Sequence, residues 1–120
     1  MKYLGKALAL AVVATVTSGS ANASNFQGTI NNVTPMGSMV WIALTGAFDG
    51  AGSTCVPGTT GMTFAFDPST AIGKAFLATA LSAKVTGKLV YAMGTATCQA
   101  SGNPYNGGGA ELLYGIDLKG

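Results

Sequence analysis

Residues 67–90 read Asp-Pro-Ser-Thr-Ala-Ile-Gly-Lys-Ala-Phe-Leu-Ala-Thr-Ala-Leu-Ser-Ala-Lys-Val-Thr-Gly-Lys-Leu-Val, and they contain the single helix on which the predicted architecture depends. Its content of Ala and Leu predicts a helix over 71–85, because both residues are strong helix formers. Gly87 stands where a left-handed glycine commonly ends a helix. The helix is flanked on both sides by segments with the composition of β-strands.

Two further predictions concern this helix, one about the residue that caps its start and one about how much of its surface is buried. Asp67 is predicted as the N-cap with Pro68 in the first helical position, and Ser69 is the competing cap. Apolar side chains occupy most of the helix circumference, so we expect the helix to be mostly covered. The residues expected on the covered side are Ile72, Phe76, Leu77, Thr79, Ala80, Leu81, Ala83 and Val85.

Strand-like segments precede the helix at 26–33, 39–44 and 62–66, and two follow it at 89–93 and 111–118. In the last of these, apolar residues alternate with others from Leu112 to Leu118, and Tyr114 is expected in the core or barrel wall. The order β-β-β-α-β-β predicts a mainly β domain, an OB-like five-stranded barrel with one helix and one disulfide. An α+β sheet with one packed helix is the alternative that the order alone does not separate.

The N-terminus has the pattern of a secretory signal. Lys2 and Lys6 precede a ten-residue run, 7–16, that is apolar except for one Thr, and small residues then end in Ala21-Asn22-Ala23. This pattern predicts a signal peptide over 1–23 with cleavage after Ala23. The remaining residues, 24–120, are predicted to form a single exported domain, periplasmic or secreted, with no membrane span after signal removal.

Two cysteines, Cys55 and Cys98, are the only ones in the chain. An exported pair of thiols usually closes, so we predict a structural disulfide between them. A redox-active pair is the alternative, but the chain lacks a Cys-x-x-Cys spacing and has no cationic residue beside either thiol. Zinc is disfavoured because two cysteines without histidine cannot complete a site.

The composition excludes several classes of chemistry. The chain has no His, all six basic residues are Lys, and charged residues make up 8%. A His-based triad, a His metal site and an arginine clamp are therefore impossible. After signal removal four Lys balance four acids, so nucleic acid is a poor partner. Glu111 and Asp117 lie too far apart on one strand to act as an acid–base pair. We predict no enzyme, no catalytic residues, no cofactor and no metal.

A resemblance to known proteins lies in residues 75–90 followed by Cys98. An apolar helix ends in Ala-x-x-x-Gly-Lys, a short strand and a Cys follow, and an alternating strand closes the chain. This pattern is similar to the binding (B) subunits of subtilase- and pertussis-like AB5 toxins and covers residues 67–118. The resemblance implies an OB-fold, a ring-shaped homo-oligomer and glycan binding. No sugar-contacting residue of those families matches a position here.

The second glycine-rich segment supplies the candidate ligand contacts. Asn103, Tyr105 and Asn106 place amide and aromatic groups on one loop, where binding residues are common. Trp41 is flanked by apolar residues and is predicted in the core. We expect an exported binding module that recognises a glycan or a protein surface through its loops. The alternative is a structural subunit of the bacterial envelope or of an extracellular assembly, joined through strand edges.

Overall fold

The computed structural model describes residues 23–56, 61–105 and 109–120 and contains five strands and one helix in this part of the chain. Asn106 and residues 1–22 lie outside the described residues. The elements, in chain order, are β1 (Asn25–Met36), β2 (Met39–Phe48), β3 (Gly61–Phe66), α1 (Ala71–Thr86), β4 (Val90–Gln99) and β5 (Ala110–Leu118).

The five strands form a closed barrel in the order β1-β2-β3-β5-β4, with β4 pairing back to β1. All neighbouring pairs are antiparallel except β3 and β5, which pair in parallel over a short stretch. A single helix between the third and fourth strands of a closed five-stranded barrel confirms the predicted OB-like architecture. The alternative of an open α+β sheet is wrong.

The barrel interior and one side of α1 form the main core. Phe66 of β3 meets Phe76 of α1 edge to face, with 5.5 Å between ring centroids. Ala80 and Ala83 are fully buried, and their small side chains let the helix lie close to the strands. The other buried members of this core are Phe26, Ile30, Val40, Ile42, Leu44, Val56, Met62, Phe64, Val90, Ala92 and Leu113.

Strands β1, β2 and β4 are longer than the sequence predicted. β1 and β2 continue as a hairpin through Gly37, whose φ of 68° suits the turn. β4 continues from Met93 to Gln99 through an irregularity in its pairing with β5, where Ala96 has a φ of 71°. These extensions carry polar and glycine residues whose strand conformation comes from pairing with neighbours rather than from local propensity.

The helix covers the predicted residues, but its N-cap is not the predicted one. Thr70, not Asp67 or Ser69, is the N-cap, and its hydroxyl accepts a hydrogen bond from the Gly73 amide at 2.9 Å. Asp67 instead caps the preceding turn, where its carboxylate accepts from the Ser69 amide at 2.8 Å. This amide and the Ser69 hydroxyl lower the pKa of Asp67. Gly87 ends the helix in the left-handed conformation, as predicted.

The expectation that α1 is mostly covered is wrong. Only Gly73, Phe76, Ala80 and Ala83 are buried, and these residues form a narrow stripe on one side. Ile72, Leu81 and Val85 are 59%, 46% and 83% exposed. The helix packs on the barrel surface through one side only, so its apolar composition reflects helix propensity as much as burial.

The inward side of β5 is the opposite of the expected one over 111–114, whereas Ile116, on the expected side, packs against the core. Glu111 and Leu113 are buried, whereas Tyr114 is 71% exposed, so its predicted place in the core or wall is wrong. Pairing with both β3 and β4 fixes which residues point inward, and a shift of one residue reverses a whole strand. Alternation alone does not say which side faces the core.

The disulfide joins Cys55, in the connection between β2 and β3, to Cys98 on β4, with 5.4 Å between the Cα atoms. This confirms the predicted pairing. The bridge ties a long irregular segment to the barrel and closes a loop whose ends are 43 positions apart.

We expect the disulfide to stabilise the fold by about 4 kcal/mol, because it restricts the unfolded chain over a long loop. Urea unfolding of the oxidised protein and of the double variant Cys55→Ser with Cys98→Ser measures this difference. A double variant as stable as the oxidised protein would contradict the expectation.

Replacing the N-cap, Thr70→Ala, should destabilise the protein by about 1 kcal/mol, because the Gly73 amide loses its acceptor. Thr70→Ser retains the hydroxyl and is the matched control. Chemical denaturation of both variants tests the assignment, which fails if alanine and serine behave alike.

Candidate functional site

A buried carboxylate lies where the segment before β1 meets the start of β5. Glu111 is 1% exposed, and its side chain is held by four hydrogen-bond donors. Ser24 provides its backbone N–H, 3.1 Å from Oε2, and its hydroxyl, which donates to Oε1. The Ser53 hydroxyl reaches Oε1 at 2.9 Å, and the Ala96 amide reaches Oε2 at 2.9 Å. Both carboxylate oxygens are thus satisfied.

Three elements of the fold create this arrangement. The register of β5 turns Glu111 inward, and the irregularity in β4 points the Ala96 amide at it. Gly94 leaves the necessary space, because a Cβ there would lie 1.9 Å from Oε2 of Glu111. The Gly94 amide in turn donates to the Ser24 carbonyl at 2.8 Å. We call the group formed by Ser24, Ser53, Gly94, Ala96 and Glu111 the carboxylate cluster.

The carboxylate cluster joins four parts of the sequence and leaves Glu111 almost without exposed surface. A carboxylate so enclosed serves as an anchor for the chain rather than as an acid or base that meets a substrate. The sequence reasoning missed this role because a single Glu in an alternating strand resembles a solvent-facing residue.

An apolar groove of about 400 Å³ opens at the N-terminal end of α1. Its lining is mainly apolar and includes Phe66, Ile72, Phe76 and Leu112. Asp67, Thr70, Thr95 and Gln99 add polar groups. We call this feature the helix-end groove. It has the size range of a small-ligand pocket but few polar groups to orient a polar ligand.

A second cavity of about 420 Å³ lies beside the start of β1. Ala23, Asn25, Met93, Gly94, Thr95 and Tyr114 line it. Thr95 also lines the helix-end groove, so the two cavities share one residue. The exposed ring of Tyr114 gives this cavity an aromatic edge.

Of the predicted loop contacts, Asn103 is buried and Tyr105 is half-buried. Asn103 is 2% exposed, donates to the Gly109 carbonyl at 3.0 Å and accepts from the Tyr105 amide at 2.9 Å. The Tyr105 hydroxyl donates to the Trp41 carbonyl at 2.9 Å and lies 2.8 Å from Thr34 Oγ1. Both residues fasten the loop to the barrel, and their role in ligand binding stays a prediction, as does that of Asn106.

Trp41 is 3% exposed, so its predicted place in the core is confirmed. It forms a second, smaller cluster with Ala65 and Ala110, against which Tyr105 packs. The indole N–H donates to the Met36 carbonyl at 3.2 Å. This cluster fixes the loop after β4 against the β1–β2 hairpin.

Among residues 23–56, 61–105 and 109–120, no group of three or more His, Cys, Asp or Glu side chains is placed to hold a metal ion. In the same part of the chain no helix has the length and apolar character needed to cross a membrane. Neither the known family models nor the curated proteins include a match to this sequence.

Burial raises the pKa of the Tyr105 hydroxyl, and the contact with Thr34 opposes this effect in part. A group with a raised pKa in the folded state adds stability below its unfolded pKa, about 10, and loses it as pH rises. We therefore expect stability to fall above about pH 10, and Tyr105→Phe to flatten this fall.

At neutral pH the Tyr105→Phe variant should be about 1 kcal/mol less stable, because the Trp41 carbonyl loses a donor. The fluorescence of Trp41, the single tryptophan, follows both effects during unfolding. Tyr114→Phe, at an exposed position, is the control. The interpretation fails if the two variants have the same alkaline profile.

Proposed function

We propose that this chain is an exported binding module without enzymatic activity that holds an apolar side chain or segment of a partner protein in the helix-end groove. The observation that carries the proposal is the groove itself, which is apolar, open and bordered by hydroxyl and amide groups and the Asp67 carboxylate. Such a surface gains free energy mainly by removing apolar area from water.

The lining of the groove favours a protein partner over a glycan. Sugars are usually held by several free polar side chains together with an exposed aromatic ring. In this groove Phe66 and Phe76 are buried, and the polar groups lie among a larger number of apolar ones. The amide of Asn103 and the hydroxyl of Tyr105 are engaged in internal hydrogen bonds. Glycan recognition remains the alternative ligand class and is one arm of the test below.

Assembly through strand edges has less support. Each strand of the barrel pairs on two sides over part of its length. Residues 29–36 of β1 pair only with β2 and form the longest stretch with one open side among the described strands. This edge carries the irregularity at Asn31 and the N–H-free Pro35, features that commonly prevent strand addition. An envelope subunit joined by β1 is therefore the weaker candidate.

Two features of the chain support export. The signal-like residues 1–23 and the closed Cys55–Cys98 bridge fit an oxidising compartment. The homo-oligomer and the toxin B-subunit relationship implied by the sequence resemblance stay predictions. Light scattering on the oxidised protein over a concentration series decides the oligomeric state, and a mass of one protomer excludes a ring.

The function is tested by placing a charge in the groove. Ile72→Glu introduces a carboxylate at the rim, where the start of a helix tolerates negative charge. Binding of the apolar dye 8-anilinonaphthalene-1-sulfonate should weaken about tenfold or more, because apolar contact is lost and the two negative charges repel. Val85→Glu, on the same helix but outside the groove, is the matched control and should leave dye binding unchanged.

The same two variants discriminate between partner classes. Peptides selected from a random library on the wild-type protein should bind Val85→Glu and not Ile72→Glu, and they should displace the dye. Glycans from an array that bind wild type and both variants equally would overturn the groove as the binding site. They would return the function to the loops of residues 100–109.

A further inference from the structure

The carboxylate of Glu111 has no positive partner among the described side chains. The lysines of this part of the chain make other contacts or none: Lys74 donates to the Ser69 carbonyl, and Lys119 pairs with Asp117 at the surface. A buried carboxylate held only by neutral donors is costly, because its charge has lost hydration without gaining a counter-ion.

The nearest candidate for a counter-ion is the backbone nitrogen of Ser24. This atom lies 3.1 Å from Oε2 of Glu111, and Ser24 is fully buried. Ser24 is also the residue that follows the predicted cleavage point. In the uncleaved chain its nitrogen is a neutral amide with one N–H. In a chain that starts at Ser24, the same nitrogen is an ammonium group with three.

We propose that removal of the signal peptide creates a buried ion pair between the α-ammonium group of Ser24 and the carboxylate of Glu111, and that this pair makes the folded barrel more stable against unfolding. The proposal rests on the export part of the proposed function and does not depend on the groove. It assigns the Ala23–Ser24 peptide bond as the processing site.

The chemistry of the step is a hydrolysis by the signal peptidase of the exporting cell. The bond between the Ala23 carbonyl carbon and the Ser24 nitrogen breaks, and the oxygen of water joins the Ala23 carbonyl as a carboxylate. The Ser24 nitrogen leaves as an amine and takes up a proton at neutral pH. No other reactant is needed.

The surroundings suit an ammonium group at this position. One N–H is already directed at Oε2 of Glu111. Ala23 is exposed and lines the second cavity together with Asn25, so its removal leaves space for water beside the new terminus. The remaining N–H groups can then be solvated while the first keeps its bond. A charge-assisted bond is about twice as strong as the neutral one it replaces.

The test compares two N-termini and two residues at position 111. The full precursor is exported from a bacterial host, and the intact mass of the purified product shows whether it begins at Ser24. A second precursor carries one glycine inserted between Ala23 and Ser24, so that cleavage moves the charge one residue away and returns Ser24 N to an amide. Each form is prepared with Glu111 and with Glu111→Gln.

With Glu111, the glycine insertion should raise the unfolding equilibrium constant by about tenfold, because a charged hydrogen bond to a buried carboxylate is replaced by a neutral one of about half its strength. With Glu111→Gln the same insertion should change it less than about threefold, because the charge at position 111 is gone. Asp117→Asn removes an exposed carboxylate from the same strand and is the matched control. In that background the full effect of the insertion should return.

A second measurement covers the case in which Glu111→Gln does not fold. Transamination of the purified wild-type protein in urea, with glyoxylate as the amino acceptor, replaces the N-terminal amine of Ser24 by a keto group and adds no residue. After refolding, the modified protein should lose at least as much stability as the insertion variant, because both the charge and the N–H donor to Glu111 are gone. Unchanged stability, or an equal effect of the insertion with Glu111 and Glu111→Gln, would overturn the ion pair.

The mass measurement separates the two parts of the argument. A product that keeps residues 1–23 contradicts the processing site and the export proposal together. A product cleaved at another bond leaves export intact and rejects both the processing site and the ion pair. A product that starts at Ser24 but is insensitive to the insertion leaves export intact and rejects the ion pair alone.

Discussion

The burial of one carboxylate constrains the rest of this structure. Glu111 is enclosed in the barrel, and four donors from three other parts of the chain must reach it. The register of β5, the irregularity in β4, the absence of a side chain at Gly94 and the course of the chain before β1 all meet this requirement. Losing any one donor leaves a buried charge partly unsatisfied, which is among the costlier defects in a small domain.

The sequence was informative where local and global preferences agree. The helix between residues 71 and 86, its glycine terminus and the disulfide could all be predicted from short-range chemistry. The barrel fold could be predicted from the order of the elements along the chain, with an α+β sheet as the remaining alternative. Local chemistry did not indicate which side of a strand faces the core. The side of β5 that faces inward depends on pairing with β3 and β4, so neither the exposure of Tyr114 nor the burial of Glu111 could be predicted.

The candidate binding residues show the same difference between what local chemistry indicates and what the folded structure determines. Asn103 and Tyr105 were chosen for loop chemistry that suits a ligand, yet their hydrogen-bonding groups hold the loop onto the hairpin and Trp41. A sequence shows which groups can form hydrogen bonds but not which of them are already engaged. No feature of the sequence indicates the helix-end groove, because its walls come from α1 and strands β2 to β5, and only the folded barrel places them together.

The contact between Ser24 and Glu111 spans 87 positions, and the parallel pairing of β3 with β5 also waits for the last strand. Contacts this distant in sequence slow folding, since a long loop must close before they form. A chain that emerges from its N-terminus therefore holds its third strand without its second partner until nearly all residues are present. The barrel closes late and as a whole, so the nascent protein spends its synthesis with open strands that need protection from other chains.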